Sequence, residues 1–124
     1  MTKLTVADHI ADLRFAGVLD GASQVGEAAA GERLVVRLGL WVDGQGCVRR
    51  ARYRASTCAS LLAYAEAACA LAESGVPLDA LGPERLRAAV RGVHPVHLDR
   101  AALVALALAR AARPVHPAAP GAYP

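Results

Sequence analysis

The stretch from Gly46 to Glu66, GCVRRARYRASTCASLLAYAE, contains the change of periodicity that decides the fold of this chain. From Cys47 to Ala55 the residues alternate with the period of a β-strand, although arginine occurs in both alternating sets. Ser56 and Thr57, which are favourable helix N-cap residues, then precede an alanine- and leucine-rich segment with helical spacing. The sequence therefore predicts a strand that leads directly into a helix.

Cys58 follows these two residues and lies in the first turn of the predicted helix. Free backbone N–H groups and the positive end of the helix dipole favour a thiolate at such a position. Cysteine is also a small apolar residue that often serves only packing, so this alternative stays open. Cys69 is interpreted as a packing residue, because it lies in the apolar stripe of the same helix. That stripe consists of Leu61, Ala65, Ala68, Cys69 and Ala72.

The segment before this stretch predicts one helix and a small antiparallel meander. The helix is expected over 5–16, with a cap and capping box at Thr5 and Asp8 and a buried stripe of Val6, Ile10 and Leu13. A short strand is expected over 24–30 and a clearer one over 34–42. The residues Asp43-Gly44-Gln45-Gly46 predict the hairpin turn that joins the second of these to the arginine-rich strand.

The segment after Cys58 is expected to be helical. The first helix should end near Glu73, a second should cover 83–90, and 92–97 should connect it to a last helix from Asp99 to about Arg113. The last helix is apolar nearly all round, so neighbouring elements or a partner should cover it. The fold class is therefore α+β, with a meander of two or three strands preceded by one helix and packed against three C-terminal helices. One domain is expected over 1–113, with a disordered Pro- and Ala-rich tail over 114–124.

Composition narrows the classes of protein to which the chain could belong. With 124 residues, it is long enough for a single core. The three unevenly spaced cysteines do not suggest a disulfide framework, and the charged N-terminal residues do not resemble a signal peptide, so a cytoplasmic location is expected. The longest uncharged apolar run, 101–109, is too short to cross a bilayer. The net charge is +3, but the arginine clusters lack the interleaved aromatics of a nucleic-acid platform.

The residues that could support chemistry are few. His94 and His97 lie in the connector before the last helix, where a side chain could turn toward Cys58. There is no regularly spaced metal motif and no glycine-rich phosphate loop. A Cys58–His97 nucleophile pair would lack a third group and an oxyanion-stabilising device, so an enzyme is not expected.

Three short segments occur in the order and spacing of motifs from a known family. These segments are 25–32 (VGEAAAGE), 51–58 (ARYRASTC) and 96–97 (VH), and the stretch 75–81 (GVPLDAL) matches between the last two. Together they resemble the U-type iron–sulfur scaffold proteins, the IscU and NifU amino-terminal type, in their V-G-x-P-x-C-G-D, A-R-F … G-C, H-C and G-x-x-L-x-x-A motifs. The resemblance runs from about Val25 to Ala112 and implies an IscU/SufE-like fold.

The resemblance also implies where a site would lie and what has changed there. The family holds its metal or cluster with three cysteines and an aspartate. At these positions the chain has Ala30, Glu32, Cys58 and Leu98, and it keeps His97 just before the last of them. The family's P-P-V-K chaperone-contact motif is replaced by GVHP at 92–95. Cluster assembly in the usual way is therefore not expected.

The remaining set, Glu32, Cys58 and His97, could bind Zn²⁺ at three positions, with water or a partner's ligand as the fourth. The resemblance thus implies a protein of metallocofactor biogenesis that binds an Fe–S cluster or a Zn or Fe ion, with ligands shared across a homodimer as one arrangement. The alternative is a metal-free interaction subunit that binds a partner metalloprotein or its maturation machinery. Neither nucleic acid nor a membrane is an expected partner.

Overall fold

One helix precedes a three-stranded sheet and three helices follow it in a computed structural model, which describes residues 4–112. The predicted α+β class is therefore confirmed. Residue 113 and the tail predicted over 114–124 lie outside the described residues. In chain order the elements are β1 (Leu4–Thr5), α1 (Val6–Ala11), β2 (Gln24–Ala30), β3 (Leu34–Val42), β4 (Val48–Ala55), α2 (Ala59–Glu73), α3 (Pro83–Ala89), β5 (Val90–Arg91) and α4 (Arg100–Ala112), with short 3₁₀ turns at Leu78–Ala80 and Pro95–His97.

The sheet is the predicted antiparallel meander, with strand order β2-β3-β4. Its register pairs Gly26 with Leu38 and Leu38 with Tyr53, so alternate residues of all three strands face the same side. This side carries β-branched, leucine and aromatic side chains that are buried against α2 and α4. The buried residues of this face are Ala28, Val36, Leu38, Leu40, Ala51 and Tyr53.

Helix α4 packs directly on β2 because both elements have small residues at their contact. Gly26 has no side chain, and its Cα faces the backbone of Ala107 and Ala111 at a distance that leaves no room for a Cβ atom. The buried face of α4 also contains Leu103, Val104 and Leu108. Neighbouring elements thus cover most of this apolar helix, while Leu106 remains 43% exposed.

The first helix differs from its prediction. The capping box is present, since Asp8 N donates to Thr5 Oγ1 (3.1 Å) and Thr5 N donates to Asp8 Oδ2 (2.9 Å). The helix ends at Ala11, however, and its buried residue is His9. The predicted apolar stripe is wrong at Ile10 and Leu13, which are 37% and 40% exposed, whereas Val6 packs against the core.

The helix stops early because the following backbone is bound elsewhere. The carboxylate of Glu66, on α2, accepts hydrogen bonds from the N–H groups of Arg14 (3.0 Å) and Phe15 (2.9 Å). The chain then runs beside β4, where Tyr53 N donates to Phe15 O and Gly17 N donates to Tyr53 O, both at 3.0 Å. Residues 15–17 therefore cover the outer edge of β4 at Tyr53.

A two-residue parallel pair between β1 and β5, which the sequence did not predict, ties residues 4–5 to the end of α3. Among the helices of residues 4–112, none has the length and apolar character required to cross a membrane.

Candidate functional site

An open cavity of about 630 Å³ lies where three distant segments meet. The β2–β3 hairpin lines it with residues 30–34, the junction between β4 and α2 lines it with residues 56–58, and α4 contributes its first residue, Arg100. These segments belong to the regions in which the family resemblance implies a site. Cys58 and Glu32, two of the three predicted site residues, line the same cavity.

Hydrogen bonds between β3 and the junction hold the two sides of this cavity together. The N–H of Ser56 donates to Val35 O at 3.0 Å, and Val35 N donates to Ser56 Oγ at 2.8 Å. The hairpin closes through Gly31, whose φ of +64° lies in the left-handed region that glycine adopts without strain. The hydrogen bonds of Ser56 with Val35 therefore fix the position of the junction relative to the hairpin.

Cys58 is the N-cap residue of α2, and the helix begins at Ala59, later than predicted. Its backbone is extended, with φ −135° and ψ 117°, and Leu62 N donates to its carbonyl at 2.9 Å. The expectation that Ser56 or Thr57 caps the helix is wrong, because the Ser56 hydroxyl is bound to Val35 instead. The Cys58 thiol is free, half-buried and makes no capping hydrogen bond. Its sulfur is thus available to a ligand in the cavity.

Arg100 lines the same cavity as Cys58, which the sequence did not predict. Its Nη1 donates to Asp99 Oδ1 at 2.6 Å, and the side chain is only 19% exposed. The carboxylate of Asp99, followed by the thiol of Cys58, holds the pKa of Arg100 above its ordinary value, so this group is a permanent cation. The only indication in the sequence is that Arg100 opens the last helix, two residues after the implied ligand position Leu98.

His97 points to a neighbouring group instead of lining the cavity. Its Nδ1 lies 3.1 Å from Ser60 Oγ, in the first turn of α2, and its ring centroid lies 6.0 Å from that of His94. The connector thus brings His97 to α2, the helix that Cys58 caps, as predicted, but the imidazole is hydrogen-bonded to Ser60. Within residues 4–112, no three histidine, cysteine, aspartate or glutamate side chains form a group that could hold a metal ion. Glu32, Cys58 and His97 are therefore not assembled into a three-ligand site.

The other residues named by the resemblance have distinct positions. Ala30, at the first implied cysteine position, lines the same cavity as Cys58. Leu98, at the third, is 39% exposed and does not line that cavity. Of the two remaining cysteines, Cys47 is exposed and Cys69 is buried, as predicted for a packing residue.

No protein-family model matches this chain, and no curated protein matches its sequence. The resemblance to the U-type scaffolds therefore depends on the segments quoted above and stays a prediction.

Proposed function

We propose that this chain is a U-type scaffold-like protein, not an enzyme, that acts in iron–sulfur or other metallocofactor biogenesis in the cytoplasm. The observation that supports this function is the convergence of residues 30–34, Cys58 and the start of α4 on one open cavity. The ends of two segments that carry the resemblance, 25–32 and 51–58, thus line one cavity together with Arg100. In the chain 26 positions separate Glu32 from Cys58 and a further 42 separate Cys58 from Arg100.

In this proposal Cys58 is the principal ligand of a Zn or Fe ion or of an Fe–S cluster. A thiolate is the ligand type that these soft or borderline metals prefer, and Glu32 supplies a carboxylate from the rim of the cavity. Two protein ligands leave two positions of a tetrahedral ion open. His97 after a side-chain rotation, a second copy of this chain or a client metalloprotein would fill them. The metal is thus bound partly by this chain and partly by another ligand, an arrangement that suits a protein that transfers its metal to a client.

Metal analysis of the protein and its cysteine variants tests this function. The protein is purified anaerobically and analysed for zinc and iron, and Co²⁺ is then added to detect thiolate-to-cobalt absorption. We expect metal and this absorption in the wild type and in Cys47→Ser, because Cys47 is exposed and lies outside the cavity. Both should be lost in Cys58→Ser. Metal that survives Cys58→Ser, or its absence from all three proteins, would contradict the proposal.

A variant that adds a ligand to the cavity tests the same site by increasing its affinity for metal. Ala30→Cys places a second thiol in the cavity that Cys58 lines, at the position where the family has its first cysteine. We expect tighter Zn²⁺ binding than in the wild type, measured by competition with a chromophoric chelator, because a second thiolate replaces an open position. Leu78→Cys, in the 3₁₀ turn outside this cavity, is the matched control and should bind as the wild type does.

The second candidate is a metal-free interaction subunit on the same fold. Two observations favour it: the cation Arg100 lines the cavity together with Cys58, and residues 4–112 contain no assembled three-ligand group. Exposed apolar side chains of Val96, Leu98 and Leu106 lie close to Arg100 in the chain and would form the contact. A stoichiometric partner that is retained by Cys58→Ser and lost by Leu106→Asp, with no metal bound, would favour this candidate.

A further inference from the structure

The side chains that line the Cys58 cavity carry an excess of positive charge. Arg33 and Arg100 contribute two cations, Glu32 contributes one anion, and Ser56 and Thr57 add neutral hydroxyls. Asp99, which lines an adjacent groove, forms an ion pair with Nη1 of Arg100 at 2.6 Å and offsets part of the charge of Arg100. Among the described residues that line the cavity, positive groups therefore outnumber negative ones.

Arg100 is the cation best placed to influence a ligand at the sulfur. It is 19% exposed and anchored at one end by Asp99, so its guanidinium cannot swing freely into solvent as a surface arginine does. A cation held in a partly desolvated cavity attracts anions and repels cations more strongly than the same group in water. Arg100 therefore favours a ligand that carries a negative group next to Cys58.

We propose that the Cys58 cavity is a binding site for an anionic ligand and that Arg100 is the residue that selects it. The ligand would place its negative group at the guanidinium and its reactive or metal-bearing atom at the Cys58 sulfur. This inference rests on the proposed function where the ligand is the metal-bearing cargo, and it favours a cargo that carries a negative group beside its metal. Arg100 is a specificity-determining residue in this scheme and supplies no bond to the cargo.

A pair of alkylating reagents that differ only in charge tests the inference without any metal. In a Cys47→Ser background Cys58 is the only accessible cysteine, because Cys69 is 1% exposed. Iodoacetate and iodoacetamide react alike: the thiolate sulfur attacks the carbon that bears iodine, the S–C bond forms, the C–I bond breaks and iodide leaves. Both reagents require the same thiolate, so the ratio of their rate constants cancels the ionisation of Cys58 and reports the charge of its surroundings.

We expect the iodoacetate-to-iodoacetamide ratio at Cys58 to exceed that of N-acetylcysteinamide by several-fold. Arg100→Met should lower the ratio by about three- to tenfold, which is the effect of one unit charge several ångströms away in a partly screened site. Arg100→Lys should restore most of it, and Glu32→Gln should raise it. Arg110→Met is the matched control, because Arg110 lies on the same helix but donates to Glu27 O, away from the cavity.

Circular dichroism and urea unfolding verify that each variant is folded before its rates are compared. The inference is overturned if Arg100→Met leaves the ratio unchanged, or if Arg110→Met lowers it equally. The two proposals fail separately. Metal binding that depends on Cys58 together with an unchanged ratio would remove only the anion selectivity. An altered ratio in a protein that binds no metal would remove only the proposed cargo.

Discussion

At the scale of single residues, Gly26 shows how one missing side chain determines the packing of an element. Its Cα faces the backbone of α4, and an added Cβ would lie closer than 3.0 Å to Ala107 O and to Ala111 N. Neither backbone atom can move without displacing the whole helix. The same glycine belongs to the segment that carries the family resemblance, and its role there is to let α4 approach β2.

Gly26→Ala should therefore destabilise the protein by about 1–3 kcal/mol, the usual cost of forcing a methyl group into packed backbone. Urea unfolding followed by circular dichroism measures the loss. Gly44→Ala is the control, because a Cβ at Gly44 would meet nothing within 4 Å. Equal stability of the two variants would show that α4 does not pack on β2 as described.

His9 makes the stability of the protein depend on pH. The residue is 8% exposed, and its Nε2 is buried without a hydrogen-bond partner among the described residues. Burial lowers the pKa of His9 from its ordinary value of 6.5, while the carboxylates of Glu66 and Asp8 oppose the shift. The unfolded chain thus takes up a proton at a higher pH than the folded protein does.

The contribution of His9 to stability is consequently complete above pH 6.5 and decreases as the pH falls below that value. We expect the free energy of unfolding to decline between pH 7 and pH 5, and His9→Gln to flatten this decline. The exposed His94, changed to glutamine, should leave it as in the wild type. A decline of the same size in His9→Gln would exclude this residue as its cause.

At the scale of the elements, two carboxylates of α2 bind β4 and the segment of residues 14–15 that follows α1. Glu66, which is 2% exposed, accepts three hydrogen bonds, from Arg14 N, Phe15 N and Tyr53 Oη. Glu73, at the end of the helix, accepts from Ala51 N at 2.8 Å and forms an ion pair with Arg52. The burial of Glu66 was not predicted from the sequence, because a glutamate in a helix usually lies on the solvent-exposed face.

Glu66→Gln should cost about 1–3 kcal/mol, because an amide cannot accept all three bonds and its NH₂ group would face a buried donor. Urea unfolding gives the loss, and amide hydrogen exchange should show faster exchange at Arg14 and Phe15. Glu84→Gln, on an exposed position of α3, provides the comparison and should have little effect. Unchanged exchange at both amides in Glu66→Gln would contradict this role.

The elements also show where the sequence was informative. Strands β2 and β3 have the predicted bounds. β3 contains several β-favouring residues, whereas β2 contains only Val25 of this kind, so its bounds depend on the flanking turn residues. The first helix was predicted five residues too long, since the pattern over 12–16 fits a helix while Glu66 binds its backbone elsewhere. A contact between positions 52 residues apart leaves no trace in local periodicity.

At the scale of the whole molecule, one core of buried side chains joins the sheet to α2, α3 and α4. The hairpin and Cys58 were expected to lie together, and both line one cavity. The last connector, which was expected to join them, contacts α2 at Ser60 and does not line that cavity. The sequence did not predict the directions of the side chains. Ser60 binds the imidazole of His97, a contact that depends on how the connector approaches α2, and Asp99 binds the neighbouring Arg100.

Cys69 provides a probe of the global opening of this core. It is 1% exposed, and burial, reinforced by the carboxylates of Glu66 and Glu73, raises the pKa of its thiol. Under native conditions we expect a thiol reagent to modify Cys47 and Cys58 and to spare Cys69, as counted by intact-mass spectrometry. The third adduct should form only at the rate of global unfolding. Rapid modification of all three thiols in the native protein would show that the core is open.

The strap of residues 15–17 along β4 has a consequence for how copies of this protein could aggregate. An unprotected outer strand is a template on which a neighbouring molecule can extend the sheet. At Tyr53 the chain itself occupies the hydrogen-bonding groups that such a neighbour would use. On the opposite side, Arg110 takes the carbonyl of Glu27 at 2.8 Å. Both borders of the sheet are thus partly capped from within the molecule, which discourages growth of intermolecular β-structure from either side.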